Sequence, residues 1–358
     1  MSSPLNLAEY EAFARDRVER AAWSYYAGGA DDEVTLRENP LAWQRLRLRP
    51  RVLVDVTGVD TSTTVLGATI AMPVLTAPCA LNRLAHPDGE LAVARAAANA
   101  GVIQVLSTLS SESLEDVAAA AQGTRWFQLY CYTDREVTAD LVRRAGAAGY
   151  AAICLTVDLP VLGRREREIR DGFAAPVGIS VRNLERYAHD VTPGAAGTTA
   201  LARYVSEQWD ARLTWDVIPW LKSVTRLPVV VKGILTHEDA RLAVQHGADA
   251  IIVSNHGGRQ LDTVLTGAEA LPEVVAAVDG KCEVLVDGGI RRGTDVVKAI
   301  ALGARAVLIG RPYLWGLAVD GEAGVARVLQ LLRDEIALAM ALSGRRSVVD
   351  IDATAIAR

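Results

Sequence analysis

Eight short apolar runs, each closed by a turn, recur between Pro73 and Ile309 and limit the fold more than any other feature of the 358-residue chain. They are PVLTA (73–77), VIQVL (102–106), RWFQLY (125–130), AAICLTV (151–157), PVVV (228–231), AIIV (250–253), EVLV (283–286) and AVLI (306–309). Each is rich in β-branched or aromatic residues and bounded by turn formers, which predicts strands. Between them the apolar period changes to that of a helix. Ala240, Ala243 and Val244 share one face of 237–246, and Val296, Val297, Ile300 and Ala301 one face of 294–302. GADA (247–250) and GARA (303–306) use one device twice: a glycine stops a helix and a strand follows at once. Strands alternating with helices predict a parallel α/β sheet, and eight units over roughly 240 residues favour a closed (β/α)8 TIM barrel. The alternative, an open doubly wound sheet, would carry GxGxxG after its first strand, and that fingerprint is absent.

Two parts fall outside this rhythm. Residues 1–72 read as an N-terminal helical extension, with one or two helices and short strands. Residues 159–213 form a long loop after strand 4, of a length expected of a lid or substrate wall. Within it, TPGAAGTTA (192–200) reads as flexible. No linker divides the chain, so 1–358 is expected to be one domain with its barrel over 73–345.

Half of the residues are hydrophobic, enough for a large core, and the formal charge of −5 comes without a basic stripe, which argues against nucleic acid. Cys79, Cys131, Cys154 and Cys282 show neither CxxC nor metal-ligand spacing, so no metal is expected and a reducing compartment is. The N-terminus mixes both charges and lacks the pattern of a signal peptide. The longest weakly apolar run, Ala145 to Val157, is 13 residues, too short to span a membrane. A cytoplasmic protein is expected.

A TIM barrel does its chemistry at the C-terminal ends of its strands. The residues there are Pro78-Cys79-Ala80, Ser107-Thr108, Gln128 and Tyr130, Thr156 and Asp158, Lys232, Ser254-Asn255-His256, Asp287-Gly288-Gly289 and Gly310-Arg311. A structural barrel has no reason to gather Lys, His, Asp and Arg on one rim. DGGIRRG (287–293) and GRP (310–312) read as a phosphate site, because glycines admit backbone N–H groups and Arg291 and Arg311 supply charge. Lys232 reads either as a Schiff-base nucleophile or as a fixed cation beside a cofactor. His256 reads as a general base oriented by an acid such as Asp158. GRREREIR (163–170) holds four arginines, most of them expected to be solvated or paired.

Together these motifs resemble the FMN-dependent 2-hydroxy-acid oxidases and dehydrogenases, the family of glycolate, lactate, mandelate and hydroxymandelate oxidases. The resemblance rests on YYAGGADDEVTLREN (25–39), AHPDGELAVARAA (85–97), FQLY (127–130), LTVDLPVLGRRERE (155–168), VKGI (231–234), SNHGGRQLD (254–262), DGGIRRGTDVVKA (287–299) and IGRP (309–312). It implies His256 as base and Asp158 as the carboxylate that orients it. It implies Arg165, Arg259 and Tyr25 on the substrate carboxylate, Tyr130 near its hydroxyl, and Lys232 beside the flavin rather than as a nucleophile. FMN would be bound by Pro78, Cys79, Ala80, Ser107, Gln128, Thr156, Lys232, Ser254 and Asp287, with its phosphate on Gly289, Arg291, Gly310 and Arg311.

The reaction implied is oxidation of an (S)-2-hydroxy acid to the 2-oxo acid, with O2 reoxidising FMN to give H2O2. Leu109 stands where glycolate oxidase has a tryptophan, which enlarges the pocket and favours a bulky, aromatic, mandelate-like acid. Alternatives are a dehydrogenase passing electrons to a quinone or protein, and an oxidase of a small acid such as lactate or glycolate. The loop 159–213 has no apolar run able to anchor in a bilayer. The resemblance also implies a homo-oligomer, a tetramer or octamer.

Overall fold

The computed structural model describes residues 4–187, Tyr204 and 207–357. The stretch 192–200 lies outside the described residues. Strands β1 (Val74–Thr76), β2 (Gln104–Leu106), β3 (Arg125–Leu129), β4 (Ala152–Thr156), β5 (Val229–Ile234), β6 (Ala250–Val253), β7 (Glu283–Asp287) and β8 (Ala306–Ile309) follow the eight apolar runs. All neighbours pair in parallel, and β8 pairs with β1, so the barrel closes. The (β/α)8 TIM barrel expected from the strand count is the observed fold.

Period-two alternation divides the strand residues between two apolar layers. Leu75, Val105, Trp126, Cys154, Val230, Ile252, Leu285 and Leu308 point inward and pack together along the barrel axis. Their neighbours Val74, Leu106, Phe127, Ile153, Val231, Ile251, Val286 and Val307 point outward against the helices. A hairpin of Thr63–Val65 and Ala68–Ile70 adds Val65 and Ile70 to the inner layer.

Two boundaries differ from expectation. The fifth run extends through Lys232 to Ile234, because a bulge at Gly233 keeps the chain paired with β6 while the register shifts. The loop expected over 159–213 is followed by a helix only from Val217. The N-terminal extension has three helices, Leu7–Arg15, Arg20–Ala27 and Val34–Arg45, rather than one or two. The third holds Pro40 in its interior and still runs to Arg45.

The extension is tied to the strand ends by specific bonds. Asp262 accepts the backbone N–H groups of Val34 and Thr35 at 3.0 and 2.7 Å, capping the third helix. Asn39 and Asn255 exchange amide hydrogen bonds, and Trp43 donates from Nε1 to the Gly288 carbonyl at 2.8 Å. After β8 the helix Arg311–Leu342 runs along the barrel with a break at Asp320 and Gly321. Among the described residues no helix is long and apolar enough to cross a membrane.

Candidate active site

One step of the strand period beyond the inner apolar layer, the side chains become polar. Ser107 follows Val105, Gln128 follows Trp126, Thr156 follows Cys154, Lys232 follows Val230, Ser254 follows Ile252 and Asp287 follows Leu285. A further step gives Tyr130, Asp158 and His256. The same alternation that builds the core therefore delivers the polar set to one rim.

Above it lies a cavity of about 1010 Å³, including its mouth. Of the residues expected in the site, Tyr25, Pro78, Cys79, Ala80, Ser107, Leu109, Tyr130, Arg165, Lys232, His256, Arg259, Asp287, Gly289, Arg291, Gly310 and Arg311 line it. Asp158, Gln128, Thr156 and Ser254 sit behind this wall and hold it in place.

His256 Nδ1 lies 2.9 Å from Asp158 Oδ1. Its backbone is left-handed, with φ at 57°, and its N–H donates to Ser254 Oγ at 3.0 Å. Lys232 Nζ donates to the same hydroxyl at 3.0 Å and lies 3.4 Å from Asp287 Oδ2. Gln128 donates from Nε2 to Thr156 Oγ1 at 3.0 Å, while its Oε1 accepts from Ser107 Oγ and Thr108 N–H.

Burial sets the electrostatics. It lowers the pKa of His256, which the Asp158 carboxylate only partly offsets, so the neutral imidazole is favoured. Burial would raise Asp158, but His256 and Lys232 beside it hold its carboxyl below the usual value. Lys232 would be lowered by burial, yet Asp287 and Asp158 keep its ammonium above its ordinary range. Tyr130 is raised, mainly by burial, and stays a neutral phenol.

Of the four arginines in 163–170, Arg165 is the one that turns inward. It donates from Nε to the Arg259 carbonyl, from Nη1 to Glu168 Oε1 and from Nη2 to Gln260 Oε1. Arg259 donates to the carbonyls of Tyr25 and Gly28 and to Glu168, and its guanidinium lies 5.1 Å from the centre of the Tyr25 ring.

Sequence reasoning missed several residues in and behind this wall. Glu168 lies between the two arginines, Phe173 stacks on Tyr25 at 4.3 Å, and Trp209 stacks on Tyr130 at 3.9 Å. Leu159 and Leu162 complete an apolar side with Leu109. The only signal for Trp209 and Phe173 was that large aromatics occurred in a long polar loop.

The residues present fit FMN. Asp287 Oδ1 is buried without a hydrogen-bond partner among the described residues, as expected of a group awaiting a ligand hydroxyl. At Gly289 a Cβ would stand 2.2 Å from the Asn39 carbonyl, so the backbone there stays bare. Arg311 donates to the carbonyls of Tyr26, Gly28 and Gly257. Burial, then Arg259 and Arg291 nearby, lower its pKa, and burial lowers that of Arg291. Such a concentration of buried positive charge is relieved by a phosphate.

Residues 14–358 match the FMN-dependent dehydrogenase family. The chain is 54% identical to an L-lactate oxidase of Nostoc sp. over 356 residues, covering 98% of each protein. It is 52% identical to glycolate oxidase of Spinacia oleracea over 355 residues, covering 98% of this chain and 95% of that one. Among solved structures, mandelate oxidase with (S)-4-hydroxymandelic acid superposes with a TM-score of 0.94 at 47% identity, over 99% of this chain and 98% of that one.

Proposed function

The chain belongs to the family of FMN-dependent 2-hydroxy-acid oxidases, and from that premise we propose that it oxidises an aromatic, mandelate-like (S)-2-hydroxy acid to the 2-oxo acid, with O2 as acceptor and H2O2 as product. The observation that carries the choice of substrate is the apolar side of the cavity. Leu109, Leu159, Leu162 and Trp209 line it alongside the two arginines and His256. A phenyl ring seated there removes apolar surface from water, worth about 25 cal/mol per Å².

FMN, when bound, supplies an acceptor for two electrons. Pro78, Cys79, Ala80, Ser107, Gln128, Thr156, Ser254 and Asp287 would hold it, with its phosphate against Gly289, Gly310, Arg291 and Arg311. The protein's own groups do the rest. Arg165 and Arg259 bind the substrate carboxylate. A guanidinium has five N–H groups, and three on each are committed, leaving two on each for a bidentate pair. Tyr25 packs against Arg259 and Tyr130 stands near the substrate hydroxyl. His256, with Nδ1 held by Asp158, keeps Nε2 for the substrate proton, and Asp158 stabilises the imidazolium that results. Lys232 keeps a fixed positive charge on the cavity floor, where negative charge develops.

Anaerobic bleaching of the bound flavin by a panel of 2-hydroxy acids tests this reading. (S)-Mandelate is expected to bleach faster than lactate or glycolate, and admitting oxygen should restore the colour with stoichiometric peroxide. Glycolate turnover well above that of mandelate refutes the aromatic preference, and bleached enzyme that oxygen does not reoxidise refutes the oxidase assignment. A second reading, oxidation of lactate, is favoured by the stacking of Trp209 on Tyr130 at 3.9 Å, which narrows the pocket, and by the lactate oxidase similarity. All four cysteines are free, which supports a reducing, cytoplasmic setting. The exposed run Val52, Leu53 and Val54 supports association with further copies into a tetramer or octamer, a mass that light scattering reads directly.

A further inference from the structure

Glu168 is completely buried, at 0% exposure, and no part of the mechanism above uses it. It lies in the short helix Glu166–Arg170, three residues beyond Arg165 and so on the same face. Its Oε1 accepts from Arg165 Nη1 at 3.4 Å and from Arg259 Nη2 at 3.2 Å. Its Oε2 has no hydrogen-bond partner among the described residues. Two guanidiniums this close repel each other, and the repulsion is strong where water is scarce. Arg165 is 5% exposed, so solvent screens little of it. One carboxylate shared between them offsets the repulsion and fixes their separation, and leaves the group with a single positive charge.

The surroundings keep Glu168 where it is. The Phe173 N–H donates to the Glu168 carbonyl at 2.9 Å, and the Phe173 ring stacks on Tyr25, itself packed under Arg259. A group wanted only as a hydrogen-bond acceptor for the arginines could be an amide. A carboxylate with one oxygen left unsatisfied is the costlier choice, and what it adds is charge.

We propose that Glu168 is the built-in counter-ion of the substrate clamp: it holds Arg165 and Arg259 side by side before substrate arrives and tunes the clamp to a single carboxylate. This rests on the reading of those arginines as the carboxylate clamp. Glu168 is thus a positioning residue and a filter on ligand charge. A ligand with a second carboxylate near the first meets the Glu168 charge, whereas a 2-hydroxy monocarboxylate does not.

Oxalate and oxamate test the filter, because they are nearly isosteric and differ by one negative charge. Their affinities are measured on FMN-loaded protein by calorimetry, for the wild type, Glu168→Gln and Glu168→Asp, with flavin content and melting temperature confirming the fold. The wild type is expected to bind oxalate no more than about threefold tighter than oxamate. Glu168→Gln keeps the shape and removes the charge, so the oxalate-to-oxamate preference should rise on the order of tenfold. Glu168→Asp keeps the charge and should stay near the wild-type ratio. An unchanged ratio in Glu168→Gln, or an equal rise in Glu168→Asp, overturns the proposal. So does a wild type that already prefers oxalate tenfold, a result that needs no variant to fold. Where mandelate bleaches the flavin yet the ratio ignores Glu168, the substrate reading stands and only the counter-ion fails. Where no 2-hydroxy acid bleaches it and neither anion binds, the clamp itself falls and this proposal with it.

Discussion

In the role proposed for it, His256 carries two opposing demands. As a base it must be neutral before the reaction, and as the proton's destination it must then tolerate a charge. Burial meets the first by lowering its pKa, and Asp158 at 2.9 Å meets the second. The consequence for pH has a definite sign. Below its pKa the imidazole is already protonated and cannot accept, so kcat/KM falls as pH falls. Because that pKa is depressed, the acid limb should lie below the usual histidine value of about 6.5. An acid limb above 7 refutes this electrostatic account. His256→Ala should keep its FMN yet bleach on the order of 10²- to 10⁴-fold more slowly, and bleaching at the normal rate refutes His256 as the base. Leu109 carries a different kind of consequence. It is buried in the apolar wall, so Leu109→Trp fills space that a phenyl ring would need. The ratio of kcat/KM for mandelate over glycolate should fall by roughly tenfold or more, and an unchanged ratio places the ring elsewhere.

Strand β5 shows how an element sets its own geometry. Gly233 has φ at +116°, a conformation that residues with a Cβ rarely adopt. A Cβ there would stand 2.6 Å from the Asp158 Cβ. The bulge therefore lets Asp158, beyond the end of β4, reach His256 beyond the end of β6. Gly233→Ala is expected to displace Asp158, cost on the order of 1–3 kcal/mol of stability and lower kcat at least tenfold, read from melting and steady-state kinetics. Unchanged kcat in a folded variant shows that Asp158 is held by something else. Elements are also where sequence legibility divides. All eight strands were legible because buried parallel strands are continuous apolar runs, and six of the runs hold or directly precede a polar residue at the rim. The Gly233 bulge was hidden because VKGI looks alike whether it ends a strand or continues one. Glu168 was hidden because its arginine partners converge only once the segment 163–170 packs against SNHGGRQLD. In that motif itself the duties proved mixed: His256 and Arg259 line the cavity, while Asn255 and Asp262 fasten the N-terminal extension.

At the scale of the whole molecule, the N-terminal extension and the last two barrel units share one set of cations. Arg311, at the start of the last helix, reaches the carbonyls at the end of helix Arg20–Ala27, and Gly289 faces the Asn39 carbonyl of the third helix where a Cβ would not fit. An anion between Arg291 and Arg311 would therefore strengthen contacts spanning from residue 26 to residue 311, beyond stabilising one loop. FMN and riboflavin separate this effect from ring binding, since they share the isoalloxazine and differ by the phosphate. A ligand at a hundred times its Kd adds about 2.7 kcal/mol to the folded state. On the apoprotein, FMN should raise Tm by roughly 5 °C or more, and riboflavin at the same concentration by less than half as much. Arg291→Ala should erase most of the difference, because it removes a cation from the proposed phosphate site without touching the ring. Equal shifts from the two flavins refute the phosphate site, and with it the idea that the cofactor fastens the extension to the barrel.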